Sequence, residues 1–362
     1  MIRKRTILSR TLKVFGFIML PVTLAVFAST YIPPDIFWPA GIIALVIPHL
    51  LILHLLLAVY WLFRRAVWIL IPLALLAVGY GHIRSTVSLH EKKEITSVES
   101  LITTLSYNVN YFKGAKPREG EPSAGNASDI AAAILDTDTD VLCLQKYPGE
   151  SQEIDSVFTA LARAGYSRHF PAETDSATFD GGVVIFSRLP VSDKGEFSIS
   201  SLAGHRAAWV DVARSDGETI RVINLHLPSI NTTETGPYAR KEKLTRDELK
   251  TNLRMRQEAR TQELERIMDF LADSPYPVII CGDFNETPYS YTYRKLNAFY
   301  DNAFVNAGRG FGITYQPFSP FLLRIDHQFY DDRLTATSFR TMRDIKFSHH
   351  FPIRATYSLD EE

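Results

Sequence analysis

The sequence predicts a layered α/β sandwich preceded by N-terminal membrane helices. Three observations carry that expectation. Charge-free apolar runs crowd into the first 83 residues. Beyond them, short runs rich in β-branched and aromatic residues recur. Helical stretches separate some of these runs and a tight turn separates others, so parallel and antiparallel pairing must mix in one domain.

Residues 14–32, 36–63 and 66–83 contain no Asp, Glu, Lys or Arg over 19, 28 and 18 positions. A helix crosses a bilayer with about 20 apolar residues, so the first two runs have spanning length. The third is at the short limit, with its apolar centre in WILIPLALLAV. A cleaved leader does not explain the first run, because two more follow it directly. Arg3, Lys4, Arg5, Arg10 and Lys13 precede the first run, and Arg64 and Arg65 fill the turn between the second and third. The loop around Pro33, Pro34 and Asp35 has no basic residue. The positive-inside rule then puts the N-terminus and the arginine pair in the cytoplasm. Three spans put everything after about residue 84 outside the inner membrane, as an extracytoplasmic domain of a multi-pass protein; two spans would put it inside. Residues 1–83 read as the transmembrane region, 84–100 as a polar linker and 101–360 as the main domain. Oligomeric state stays open.

The chain holds 39 basic and 40 acidic residues, but they divide unevenly: residues 1–98 carry 10 basic and 3 acidic, and residues 99–362 carry 29 and 37, a net of −8. Nucleic-acid readers carry a basic excess, so nucleic acid is disfavoured as a partner. Cys143 and Cys281 each lie inside an apolar run, reading as small buried hydrophobes, and no Cys spacing fits a metal site.

In the main domain, LITTLSYNV (101–109), VLCLQ (141–145), GVVIFS (182–187), AAWVDVA (207–213), TIRVINLHL (219–227), VIICGDF (278–284) and PIRATYSL (352–359) read as strands. Ser215-Asp216-Gly217-Glu218 is a hairpin signal between two of them. Residues 128–135, 153–164 and 241–271 read as helices. The last places Leu264, Ile267, Met268 and Leu271 at three–four spacing, which turns that face to the sheet and leaves its Arg/Glu run as a solvated face. Tyr289, Tyr291 and Tyr293 read as packing residues, with stacking on a substrate as the alternative. Asn126-Ala-Ser and Asn231-Thr-Thr match a glycosylation pattern but read as loop composition.

Polar residues gather at the C-terminal ends of the apolar runs, where side chains converge on a ligand from a rigid support. Asn108 ends SYNV, Lys146 follows LCLQ, His226 ends VINL, and Asp283 and Asn285 stand in GDFN. Asp326 lies in RIDHQF, and His349 and His350 precede Phe351-Pro352. Together these residues resemble the endonuclease/exonuclease/phosphatase superfamily, the DNase I-like phosphoesterases, from about Leu101 to Tyr357. GDFN followed by Thr287, Pro288 and Ser290 is the most specific element, supported by RID, the Asn108 strand end, GVVIFSRLP and the His226 strand. The runs FWPAGIIALVIP and AVYWLFRR are similar to those of bacterial membrane-anchored members.

The resemblance implies a four-layer α/β sandwich with its site at one rim. It implies that His350 is the catalytic histidine, oriented by Asp326; that Asp283 aligns or deprotonates the attacking water; and that Asn285 holds a phosphate oxygen. His226 and Asn108 would add phosphate hydrogen bonds. It also implies Mg2+ or Mn2+, held by a Glu after the LQ strand and by the Asp of a Ser-Asp-His run. Here Lys146 and His349 stand at those two places, exchanging two negative charges for one positive. Metal binding is therefore doubtful, with a shifted site on Glu150 or a softer metal on His349 as alternatives. Lys146 itself suits phosphate binding as a point charge. The expected function is a membrane-anchored hydrolase of a small or lipid phosphoester. The alternatives are a catalytically silent protein that binds a phosphorylated ligand and, third, a nuclease.

Overall fold

The structure, a computed structural model, describes residues 2–90, 101–112, 127–148, 152–169, 182–198, 206–229, 245–316 and 323–359. Glu150, Asn126 and Asn231 lie outside the described residues.

The N-terminal part comprises α1 (Ile2–Ser29), the short turns α2 (Pro34–Phe37) and α3 (Ala40–Ile43), then α4 (Ile47–Phe63), α5 (Leu70–Val78) and α6 (Tyr80–Thr86). Two helical segments, Ile7–Ser29 and Ala40–Phe63, are long and apolar enough to cross a membrane. Large apolar side chains such as Phe17, Leu55 and Leu62 are exposed on them, as helices solvated by hydrocarbon require. Inside the hairpin, Thr23 Oγ1 and His54 Nε2 meet at 2.8 Å, a polar contact between two otherwise apolar helices.

The third apolar run is not one straight helix. Val67–Val78 and Tyr80–Thr86 are bent by 64° at Gly79. A Cβ on Gly79 would lie 2.9 Å from the Phe27 ring, so glycine leaves room for that ring of α1 at the turn. The expected linker also begins as structure. α6 runs through Arg84 to Thr86, and β1 (Ser88–Leu89) pairs antiparallel with β11 (Arg309–Gly310); residues 91–100 lie outside the described residues.

Two six-stranded sheets form the main domain. One contains β2 (Leu101–Asn108), β3 (Val141–Tyr147), β4 (Ser167–His169), β5 (Gly182–Ser187), β13 (Leu334–Thr341) and β14 (Ile353–Leu359), in the order β13-β14-β2-β3-β5-β4. The other contains β6 (Val191–Ser198), β7 (Arg206–Ala213), β8 (Thr219–His226), β9 (Val278–Asp283), β10 (Asp301–Asn302) and β12 (Asp326–Tyr330), in the order β10-β12-β9-β8-β7-β6. Two pairs are parallel, β2–β3 and β8–β9. Each is joined through a helix, α7 (Ala127–Leu135) for the first and α9 (Arg246–Ala272) for the second, since parallel strands need a crossover. The expected hairpin joins β7 to β8, with Gly217 at φ +91 in its turn.

Apolar side chains from both sheets interleave between them, including Cys143, Ile185, Val222, Ile279 and Cys281. Both cysteines are buried and free, as small interior hydrophobes. The outer face of the first sheet packs on α7 and α8 (Gln152–Arg163), and that of the second on α9 and α10 (Tyr291–Leu296). The result is a four-layer sandwich. A last short helix, α11 (Ala303–Ala307), covers one end of the inter-sheet core.

α9 departs from its expected amphipathicity. Leu264, Ile267 and Leu271 are buried against the sheet, but so are Gln257, Arg260, Thr261 and Glu263. The middle of α9 is covered on this side by the segment after β9 and by the N-terminal helices: Gln257 meets Gly41, and Arg260 meets Asn285 and Glu286, while the first turns from Arg246 on stay exposed. A capping box at Thr245 and Glu248 starts the helix.

Candidate active site

Both parallel pairs end at the same rim, and register does the rest. His226 on β8 lies opposite Asp283 on β9, and Asp283 lies opposite Asp326 on β12. Laterally paired residues point to one face of a sheet, so three polar side chains stand in a row across three strands. From the facing sheet, β2 ends at Asn108, beside Gln145 of β3, and Lys146 follows. His350 enters from the segment that leads into β14 and bridges to Tyr315.

These side chains meet. His350 Nδ1 lies 2.9 and 3.1 Å from Asp326 Oδ2 and Oδ1, so Asp326 fixes the ring and leaves Nε2 outward. Asp283 Oδ2 is 3.7 Å from His350 Nε2 and 3.8 Å from His226 Nε2. The Asn108 amide donates to Asp283 Oδ2 at 2.8 Å, and the Asn285 backbone N–H donates to Oδ1 at 3.0 Å. Asn108 thus serves the carboxylate in this arrangement, and its own Oδ1 accepts from the Asn110 N–H at 3.1 Å. The Asn285 side-chain amide gives one hydrogen to the Leu227 carbonyl at 2.8 Å and keeps another to offer. Lys146 is half-buried, and its charge reaches His350. His349, half-buried, stands next in the chain, with its carbonyl accepting from the Gln316 N–H at 2.7 Å. Asn108, Lys146, His226, Asp283, Asn285, Asp326 and His350 thus converge on one rim.

The backbone there is unusual. Among the described residues, seven non-glycine positions have positive φ, and five of them border this rim: Asn110, Tyr111, Phe112, Lys146 and Asn285. Such left-handed residues cost about 1–3 kcal/mol each and persist only where the surroundings over-determine them. At Lys146 the turn coincides with a bulge between β3 and β5, which redirects the lysine at the strand tip.

Electrostatics follow from crowding. Burial alone would lower the His350 pKa, but the Asp326 and Asp283 carboxylates outweigh it and the net shift is upward, with Lys146 pulling back. Burial raises the Asp283 pKa; the His350 charge and the two amide donors oppose this, while Asp326 reinforces it. A histidine inclined to hold a proton therefore faces a carboxyl inclined to accept one.

Several supporting contacts had no signal in the sequence. Tyr315 stacks edge-on against His350 at 5.0 Å between ring centres, and Ser348 Oγ holds the Asn108 carbonyl at 2.6 Å. Arg260 donates to the Asn285 carbonyl at 2.5 Å and pairs with Glu286 at 3.1 Å. Each depends on a contact across dozens of residues, which no local pattern records.

Residues 105–348 match the sequence profile of the Endonuclease/Exonuclease/phosphatase family, and residues 9–86 match a domain of unknown function, DUF8431. No curated protein matches the chain. Solved structures share the fold. An endonuclease/exonuclease/phosphatase family protein from Bacteroides thetaiotaomicron is 18% identical with a TM-score of 0.53, covering 72% of this chain and 98% of its own. The endonuclease/exonuclease/phosphatase from Beutenbergia cavernae is 18% identical with a TM-score of 0.54, covering 72% of each chain. A mannosyl-6-phosphatase from Bacteroides thetaiotaomicron is 17% identical with a TM-score of 0.51, covering 71% of this chain and 100% of its own.

Proposed function

The chain belongs to the Endonuclease/Exonuclease/phosphatase family, and from that premise we propose that it is a membrane-attached phosphoester hydrolase in which Lys146 supplies the positive charge that a metal would otherwise bring. The observation that carries this reading is the convergence of Asp283, Asp326, His226, His350 and Lys146 on one rim.

The donor set does not fit the hard divalent cation that the resemblance implies. Mg2+ takes octahedral oxygen ligands, with one or two carboxylates among them. Position 146 offers an ammonium instead, which repels a divalent ion at close range, and position 349 offers an imidazole. Among the described residues, Asp283, Asp326 and His350 are the group of acid and imidazole side chains whose donor atoms lie within 4.8 Å of one another. Their hydrogen bonds favour a proton-handling cluster: Asp326 is committed to His350, and Asp283 to Asn108 and Asn285.

In this reading Lys146, His226 and the spare Asn285 amide hydrogen bind the phosphoryl oxygens. Asp283 aligns a water and takes its proton as the water oxygen bonds to phosphorus. His350, held at Nδ1 by Asp326, passes its Nε2 proton to the ester oxygen as the bond from phosphorus to that oxygen breaks, so the leaving group departs as an alcohol while Asp283 keeps the proton taken from water. Without a dedicated metal, positioning and these few charges supply the catalysis.

The substrate class proposed is a small or lipid phosphoester at the outer face of the inner membrane. Supporting the topology, the contacts among the described residues join the main domain to the end of the N-terminal helices that holds Gly41, Ile47 and Thr86, away from Arg64 and Arg65. If Arg64 and Arg65 are cytoplasmic, the domain is outside.

Release of phosphate or alcohol from a panel of phosphomonoesters and phosphodiesters, with and without EDTA, tests this function. Hydrolysis that persists in EDTA is expected. Loss of all activity in EDTA would show a rebuilt metal site. Phosphate binding without turnover would make the protein a silent phospho-ligand binder, and steeply salt-dependent binding of DNA or RNA would favour a nuclease.

A further inference from the structure

Arg324 is 2% exposed, and no carboxylate among the described residues pairs with it. A buried guanidinium without an acid is costly unless other groups compensate its charge. What meets it is neutral. Nη2 donates to the Ser85 carbonyl at 2.5 Å, Nη1 reaches the Phe311 carbonyl at 3.4 Å, and the guanidinium lies 3.8 Å from the centre of the Phe304 ring. The shortest of these contacts is to α6, the last helix of the membrane part. Ser85 lies in the final turn of that helix, where carbonyls lack intrahelical partners and a cation is favoured.

The neighbouring residue of the same helix grips a second segment. Thr86 spends its hydroxyl proton on the His82 carbonyl at 2.6 Å, so the Tyr289 O–H donates to Thr86 Oγ1, at 2.8 Å. The Tyr289 ring, 2% exposed, is packed among Val26, Phe27, Ala44, Ile47, Leu50 and Leu51. The sequence placed this tyrosine correctly as packing, but its partners are membrane helices. Arg324 stands two residues before Asp326, and Tyr289 four residues after Asn285, so fully extended chain allows at most about 7 Å and about 14 Å between them. Asp326 orients His350, and Asn285 holds Asp283 through its backbone N–H.

We propose that α6 is a positioning element of the catalytic centre: through Ser85 and Thr86 it holds the two segments that carry Asp326 and Asn285, so the membrane part is a component of the active site and not a detachable anchor. This rests on the reading of Asp326 and His350 as the catalytic pair. Arg324 and Tyr289 are positioning residues, since neither contacts the reacting atoms.

The test uses the full chain in lipid nanodiscs, as wild type, Thr86→Val, Thr86→Ser and Arg324→Met. One readout is hydrolysis of an aryl phosphodiester. The other, independent of turnover, is the downfield proton resonance of His350 Nδ1–H, assigned by its loss in His350→Gln. Thr86→Val and Arg324→Met are expected to lower kcat about tenfold with KM nearly unchanged, as slight misplacement does, and to shift or broaden the His350 signal. Thr86→Ser should behave as wild type. A wild-type resonance and wild-type kcat in both Thr86→Val and Arg324→Met would overturn the proposal. Should the wild type hydrolyse nothing, the hydrolase reading fails by itself, and the resonance alone decides the positioning role: a shift supports it and an unchanged signal refutes it.

Discussion

At Lys146 the backbone turns left-handed and an ammonium stands where the resembled family would place a metal-binding carboxylate. His349 carries the second exchange. If these two changes act together, Lys146→Glu with His349→Asp should create Mg2+ binding that neither single change produces; titration calorimetry of all four forms checks it, and additive effects would argue against coupling. His350 gives a prediction about pH. Its folded pKa is raised above the ordinary value near about 6.5, so the pair with Asp326 stabilises the fold fully below that value, and the contribution is lost as pH rises through the raised folded pKa. The thermal-stability difference between wild type and His350→Gln should therefore be larger in acid than in alkaline buffer. A difference that grows with pH would contradict the assignment. Asn108, Lys146, His226, Asp283 and Asn285 were readable because each ends or follows a strand-like apolar run; Asp326 opens β12 and His350 precedes β14, and both were read from the RID and HHFP sequences instead. The hydrogen bonds of the rim were not readable, since the Asn108–Asp283 contact spans 175 positions.

Elements set how tightly that rim is built. Gly282 lies in β9 just before Asp283, with φ +157, and a Cβ there would stand 2.1 Å from the Leu225 carbonyl of β8. Gly282→Ala forces the parallel pair apart and should cost about 3 kcal/mol, seen as a lower thermal midpoint together with loss of activity. A midpoint equal to wild type would mean that β8 and β9 approach less closely than described. The central strands β5 and β9, buried at every position, announced themselves as continuous apolar runs. Edge strands β6 and β13 did not, because VSDKGEFS and LTATSFRT mix polar residues with apolar ones, as edges must. β12 was hidden for another reason. His327 and Gln328 are buried polar residues inside a strand, with His327 Nε2 at 2.8 Å from the Glu286 carbonyl and Gln328 Oε1 accepting from Thr104 at 2.7 Å. The break at Gly79 and the buried Arg260 likewise depend on partners distant in sequence, Phe27 in one case and residues 285 and 286 in the other.

For the whole molecule, the membrane part and the sandwich are joined by more than a linker. Arg294 stacks over the Tyr31 ring at 3.6 Å, Gln257 meets Gly41, and α6 holds Arg324 and Tyr289. All these contacts lie at the end of the hairpin away from Arg64 and Arg65. α1, with 28 residues, is about 42 Å long, enough to separate the two ends by a bilayer. Phe299, 70% exposed on the sandwich, should be labelled as Phe299→Cys by a membrane-impermeant maleimide added to intact spheroplasts, whereas Arg65→Cys should not, and the two buried native cysteines should stay silent. The opposite pattern would put the domain in the cytoplasm. The central claim is that this rim grips a phosphorus-centred anion with a lysine in place of a metal. Calorimetric titration of inorganic phosphate into the full chain in EDTA tests it most directly. Wild type should bind and Lys146→Ala should lose most of that affinity; binding that appears only after Mg2+ or Mn2+ is added, and is indifferent to Lys146→Ala, would contradict it.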